Sequence, residues 1–331
     1  MSRRVLVIGC GSIGKRHIGN LLKLEAGEVL TCDVRAERRA EAAERYGIET
    51  FSTLSEALAR GPHAVVVAVP PSLHVPVAIE AAERGCHLFI EKPLAAGMER
   101  IGELIDIVKR RGLVTLVGCN MRFHPGLVRV KELLDGGAVG AVLSARAAFG
   151  QYLPDWHPYE DYRAGYSARR DLGGGIILDA IHEIDYLRWL AGEMQSVACF
   201  AGRLSSLEIE TEDTAALLLR FANGAIGEIH VDYVQRAYSR SAEIIGEQGT
   251  IRWDYTAHAV RCYSAVDRCW RAFCDPVTWE PNDMYLDEMR HFLRCLDGAE
   301  TPAVDIINAK QVLEIALAAK AAAENRRVME L

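Results

Sequence analysis

Val5-Leu6-Val7-Ile8-Gly9-Cys10-Gly11-Ser12-Ile13-Gly14 decides the fold. Its aliphatic run has no polar alternation, so it reads as a strand buried on both faces. It passes directly into a glycine turn and then a helix-like stretch to about Leu24. Strand, Gly-x-Gly-x-x-Gly and helix, in that order, provide what a pyrophosphate needs. The backbone can turn and be approached closely, and a helix N-terminus follows whose free amides and dipole favour negative charge. A second strand, Val29-Leu30-Thr31-Cys32, ends in Asp33, about where a carboxylate that takes hydrogen bonds from ribose hydroxyls falls in such a unit. Gly9, Gly11, Ser12, Ile13, Gly14 and Asp33 are therefore expected to bind a dinucleotide, with NAD favoured because Asp33 repels a 2′-phosphate. Arg35, Arg38 and Arg39 follow closely and keep NADP open, since they could bind that phosphate if Asp33 turned away.

Strand and helix signals keep alternating to about residue 120. Helix-like runs at 36–46, 55–60, 75–84 and 99–111 separate strand-like runs at Val65 to Val69, Cys86 to Ile90 and Val114 to Gly118. Such alternation predicts a doubly wound parallel sheet with helices on both faces and a ligand crevice at the C-terminal ends of its strands. Pro70, His74, Glu91 and Asn120 all fall at those ends and join the expected coenzyme contacts. So does Lys92, which a strand end would deliver beside a nicotinamide, where it can move a proton while the coenzyme moves a hydride.

Beyond Arg122 the pattern changes. Alternating segments at 143–149, 197–203, 214–221, 225–234, 241–245 and 259–263, some joined by turn signals such as Asn223-Gly224, predict a mainly antiparallel sheet. A helix is expected over 176–190, and two more over 283–296 and 307–325. The chain is thus expected to be α/β, with a Rossmann domain over 1–121. An α+β domain with a large, mainly antiparallel open sheet should cover 122–331.

Composition narrows the class. At 331 residues, half of them hydrophobic, the chain can bury two sizeable cores. Its net charge of −7, with acids and bases interspersed, offers no basic face to nucleic acid. No apolar run approaches the roughly 20 residues of a membrane helix. Met1 leads almost at once into the first strand, so no signal peptide is expected. The nine cysteines are scattered without a Cys-x-x-Cys pair, as suits a reducing compartment, and a cytoplasmic location is expected. His182-Glu183 lacks the second histidine of a zinc-protease helix, so no metal site is expected.

The glycine loop, Pro70-Pro71-Ser72-Leu73-His74, Glu91-Lys92-Pro93, Asn120-Met121-Arg122-Phe123-His124-Pro125 and Gly173-Gly174-Gly175 through Asp179 and His182 together resemble the Gfo/Idh/MocA family of oxidoreductases. The resemblance covers essentially the whole chain. It implies that Lys92 is a catalytic lysine, with Glu91 orienting or pairing with it and Pro93 fixing the turn. It also implies a substrate set around Asp179 and His182. On a regular helix these two are three residues apart and share a face, although most relatives space them by four. Asp185, a further three residues on, could hold the imidazole's tautomer. The intervening loop is aromatic and rich in donors, as expected where a sugar ring is stacked, and Trp156, His157, Arg163 and Tyr166 are its candidate substrate contacts. Arg122 is placed in the same cleft, with His124 beside it.

The resemblance implies an NAD(P)-dependent dehydrogenase or reductase acting on a secondary hydroxyl of a sugar, sugar derivative or cyclic polyol, assembled as a homodimer or homotetramer. Two alternatives stay open. One is a glycosidase that oxidises its sugar transiently, eliminates a substituent and returns the hydride. The other is a ligand-sensing protein without enzymatic activity.

Overall fold

The computed structural model describes residues 3–156, 158 and 160–331. The chain forms two compact units: Met1–Asn120 with Pro281–Lys310, and Met121–Glu280 with Gln311–Leu331.

In the first unit, six strands alternate with helices: β1 (Arg4–Ile8), α1 (Ser12–Lys23), β2 (Glu28–Cys32), α2 (Ala36–Tyr46), β3 (Glu49–Phe51), α3 (Leu54–Ala59), β4 (Ala64–Val67), α4 (His74–Glu83), β5 (His87–Glu91), α5 (Ile101–Arg111) and β6 (Thr115–Gly118). All pair in parallel, in the order β3-β2-β1-β4-β5-β6. The order reverses between β1 and β4, and the crevice of such a sheet opens at that reversal. Val5, Leu6 and Val7 are fully buried although their side chains point to opposite faces, which is why the run shows no alternation. One face packs Val5, Val7 and Phe89 against Ile18 and Leu21 of α1 and against Met289 and Phe292. The last two come from the returning segment, and Phe292 meets Phe89 edge-on with centroids 5.6 Å apart. The short edge strand β3 carries too little apolar pattern to be read in advance.

The second unit begins with α6 (Pro125–Asp135), followed by β7 (Val142–Gly150), α7 (Ile176–Asp179), α8 (Ile181–Ala191) and β8 (Met194–Gly202). Then come β9 (Thr214–Phe221), β10 (Ile226–Asp232), β11 (Ser239–Gly246), β12 (Gly249–Asp254), β13 (Ala259–Ser264) and β14 (Cys269–Cys274). Helix α9 (Asp283–Leu296) belongs to the returning segment, α10 (Ile306–Asn325) follows it, and β15 (Met329–Glu330) closes the chain. The nine strands form one sheet, ordered β14-β13-β12-β11-β7-β10-β9-β8-β15. Every pairing is antiparallel except β7 with β10. β9 shows the pattern clearly, with Ala215, Leu217, Leu219 and Phe221 buried and the residues between them more exposed. No helix among the described residues is long and apolar enough to cross a membrane.

The helix expected over 176–190 is two helices. Ala180, at φ −90° and ψ 31°, ends α7 and precedes α8, so a 3.6-residue period cannot be carried from Asp179 to His182.

Candidate active site

Three glycines shape the loop between β1 and α1, for different reasons. At Gly14 a Cβ would lie 1.8 Å from the Gly9 carbonyl oxygen, and Gly9 itself sits at φ +98° against Ala68, so both are required by the protein's own packing. Gly11 is not so confined. A Cβ there would meet Arg38 Nη1 at an ordinary 3.6 Å, so its missing side chain instead keeps space open before the first turn of α1. That helix has no side-chain cap and no acidic residue in its first turn. The residues present thus fit a dinucleotide pyrophosphate, for which Ser12 and Ile13 open the helix.

Asp33 is buried at the end of β2. Its Oδ2 accepts the Cys10 N–H at 2.7 Å and its Oδ1 accepts the Arg35 N–H at 2.8 Å, which fixes the carboxylate and leaves lone pairs for ribose hydroxyls. Arg38 approaches Oδ2 to 3.8 Å, and Arg39 donates to the Asp33 carbonyl. The Arg35 side chain is exposed and pairs with Glu37 at 2.6 Å, so Arg35 serves this corner through its main chain.

Glu91 and Lys92 stand at the end of β5, beside β4 in the sheet, and the Lys92–Pro93 peptide is cis. Glu91 is buried, and its Oε2 accepts the Lys92 N–H at 3.2 Å. Burial alone would raise the Glu91 pKa, but the hydrogen bond from His17 and the nearby charges hold it below the ordinary carboxylate range. Lys92 is half-buried.

His74, expected to touch the coenzyme, is instead enclosed. Its Nδ1 lies 2.8 Å from the Pro93 carbonyl oxygen and its Nε2 2.8 Å from that of Val69, so the ring braces the turns after β4 and β5. Burial lowers its pKa, and the two carbonyls oppose that shift. Pro70 opens the turn that precedes α4, and Asn120 is buried in the short 3-10 turn that follows β6.

In the second unit the chemistry gathers on Asp179, the last residue of α7. Gly174 makes the close approach possible, because a Cβ there would lie 2.1 Å from the Tyr166 carbonyl oxygen and 2.6 Å from that of Ser167. The 166–169 turn can therefore seat on the glycines and deliver its hydroxyls. Tyr166 donates to Asp179 Oδ1, while Ser167 and Tyr233 donate to Oδ2 at 2.6 and 2.9 Å. Asp179 is 3% exposed, and these hydroxyls do for its charge what water would do outside. Burial and the Asp179 charge push the Tyr233 pKa well up, which keeps that hydroxyl a donor. His182 lies buried in the first turn of α8.

Helix α8 is locked by two buried ion pairs. Asp185 receives Arg122 through both carboxylate oxygens, at 2.9 and 2.7 Å, and Glu183 receives Arg240 at 2.7 Å. Arg122, expected in the substrate cleft, is thus a brace for the helix that carries His182, and Asp185 serves Arg122 where it was expected to hold the imidazole. His124 is likewise interior: its Nδ1 caps α6 by accepting the Gly126 N–H at 3.0 Å.

The aromatic loop is only partly drawn in. Tyr166 reaches Asp179, and Trp156 is half-buried against Phe149 and Tyr233, its Nε1 donating to the Gln151 carbonyl at 3.2 Å. Arg163 is exposed and paired with Asp161 and Glu208 at 2.8 Å each, so it sits on the surface. His157 lies outside the described residues. Ser167, Tyr233 and His17 were not legible from the sequence, since a hydroxyl or an imidazole within an apolar context carries no spacing signal. Among the described residues no group of three or more His, Cys, Asp or Glu side chains could hold a metal ion.

Residues 3–119 match the family model for the oxidoreductase family with an NAD-binding Rossmann fold. Residues 127–252 match the model for the GFO/IDH/MocA C-terminal domain. The chain is 30% identical to a myo-inositol 2-dehydrogenase of Thermotoga maritima, over 99% of this chain and 98% of that one. It is 29% identical to a scyllo-inositol 2-dehydrogenase (NAD(+)) of Bacillus subtilis, over 99% and 96%. Among solved structures, the WlbA dehydrogenase of Bordetella pertussis in complex with NADH and UDP-GlcNAcA superposes with a TM-score of 0.87 at 28% identity, covering 100% of this chain and 98% of that one. The Gly11 cradle, the fixed Asp33 carboxylate, the parallel sheet that presents them and the match of both family models lead to one assignment: the chain belongs to the GFO/IDH/MocA family of NAD-binding oxidoreductases.

Proposed function

We propose that the chain is an NAD-dependent dehydrogenase acting on a secondary hydroxyl of a sugar, a sugar derivative or a cyclic polyol. The observation that carries this reading is the Asp179 carboxylate, buried and met by hydroxyl donors from Tyr166, Ser167 and Tyr233, three residues before His182. A carboxylate so held suits a substrate hydroxyl, which it can accept and orient without a metal's help. The named relatives support the substrate class, because they act on inositols or are bound to a nucleotide-linked sugar acid.

When bound, the nicotinamide supplies an acceptor for the hydride of the carbinol carbon. The residues do the rest. Gly9 to Gly14 and the start of α1 hold the pyrophosphate, and Asp33 takes the ribose hydroxyls. Lys92 or His182 removes the hydroxyl proton, and Asp179 positions the hydroxyl. The open face of the second sheet presents Leu218 and Phe200 to solvent together with Arg146, Glu228 and Glu243. That mixture suits association into a homodimer or homotetramer. The nine free cysteines suit a cytoplasmic location.

The test is a spectrophotometric screen for reduced coenzyme, NAD and NADP each against inositols, aldoses, sugar acids and nucleotide sugars. A hit is expected with NAD, and on that substrate Lys92→Ala is expected to retain NADH binding and lose turnover. Near-normal turnover of Lys92→Ala across the panel would remove the catalytic assignment.

A further inference from the structure

Glu91 divides its carboxyl between two partners. Oε2 accepts the Lys92 main-chain N–H, and Oε1 lies 2.6 Å from Nε2 of His17. His17 belongs to α1, just behind Gly14, and is fully buried with its ring edge-on to Phe89 at 5.0 Å. Gly118 lies opposite Glu91 in β6, and a Cβ there would come within 3.2 Å of the carboxyl group, so the pocket has room for the carboxyl and little for its movement. His17 Nδ1 is buried with no hydrogen-bond partner. The ring's one side-chain hydrogen bond is therefore made at Nε2, where it donates to the Glu91 carboxylate. The pair then keeps the negative charge of Glu91 next to Lys92.

We propose that His17 is a positioning residue: through Glu91 it ties the helix that receives the pyrophosphate to the main chain of Lys92, so that seating the coenzyme and aiming the lysine are one event. The inference rests on the dehydrogenase reading for its purpose, but its test needs no substrate. A histidine that only filled space would be replaceable by an apolar side chain. A donor to Glu91 is replaceable by glutamine, whose amide N–H reaches about as far as Nε2.

The experiment compares His17→Leu and His17→Gln with the wild type. The Lys92 ε-amine is titrated by NMR of the ¹³C-methylated protein, its resonance assigned with Lys92→Arg, and NADH affinity is measured by fluorescence. In His17→Leu the Glu91 carboxyl, buried without its donor, takes up a proton, and loss of that charge lowers the Lys92 pKa. NADH affinity is expected to fall about tenfold, and both properties are expected to return in His17→Gln. An unchanged Lys92 titration and NADH affinity in a folded His17→Leu, or a failure of His17→Gln to restore them, overturns the proposal. Should His17→Leu not fold, Glu91→Gln carries the test, and an unshifted Lys92 there is equally fatal. Turnover of Lys92→Ala judges the dehydrogenase reading separately, so the two can fail independently.

Discussion

Asp179 and Arg122 show how little a residue's type says about its task until its partners are known. Both were read as substrate contacts. Asp179 collects hydroxyl donors from Tyr166, Ser167 and Tyr233, whereas the guanidinium of Arg122 is engaged in both of its forks by Asp185. The side chains of that ion pair are 9% and 0% exposed, so removing one member strands the other charge in the interior. Arg122→Ala is therefore expected to lower unfolding free energy by about 3–5 kcal/mol in denaturant titrations. A loss confined to substrate KM with unchanged stability would return Arg122 to the cleft. Tyr233→Phe removes one donor from Asp179 and is expected to cost about tenfold in kcat/KM on the substrate the screen identifies, with NADH affinity unchanged. Neither Tyr233 nor Ser167 was legible, because their meeting with Asp179 joins the end of β10, the 166–169 turn and the end of α7, which no spacing in the sequence links.

At the level of elements, the glycine loop was read correctly as strand, turn and helix, and the structure adds that Gly9 and Gly14 are required by the fold's own packing whereas Gly11 is not. Gly14→Ala places a methyl group against the Gly9 carbonyl and is expected to lower Tm sharply. Gly11→Ala, with only Arg38 near its new methyl, is expected to keep the wild-type Tm while NADH affinity falls at least about tenfold by fluorescence titration. Equal losses of Tm in both would show that Gly11 too is structural. The cap of α6 makes a different prediction. Burial, with Arg240 and His258 nearby, lowers the His124 pKa from 6.5 to about 3. The unfolded chain therefore binds a proton that the folded chain refuses. The resulting stability is fully present above about pH 6.5 and is lost as pH falls towards 3, with a slope of up to about 1.4 kcal/mol per pH unit. His124→Asn keeps an oxygen acceptor at the cap and removes the titrating ring, so its stability should fall less steeply with acid across that window. Parallel profiles for the two proteins would count against the assignment. The break at Ala180 was beyond prediction, since Ile176 to Leu190 contains neither Gly nor Pro to mark it.

For the whole molecule, the exposed face of the second sheet yields a prediction about assembly. Leu218 is 56% and Phe200 83% exposed on strands that the sheet otherwise buries on one side. Light scattering is expected to show a multiple of one chain's mass, reduced to a single chain by Leu218→Arg; a wild type already monomeric would dismiss the association reading. The sequence by itself determined the parallel sheet, the glycine loop, Asp33 and the placement of Glu91-Lys92-Pro93 at a strand end. Each depends on period, turn chemistry or local order, which neighbouring residues in the chain express. It also conveyed the alternating strands of the second unit where one face is buried, but not β12, the exposed β14 or the two-residue β15. Only tertiary structure decided that Pro281–Lys310 rejoins the first unit, that His74 and His124 are interior braces, and that Asp185 belongs to Arg122. A hydrogen-bonding side chain has many chemically equivalent partners in the sequence, and which one it takes is settled by packing among segments that the chain order keeps far apart.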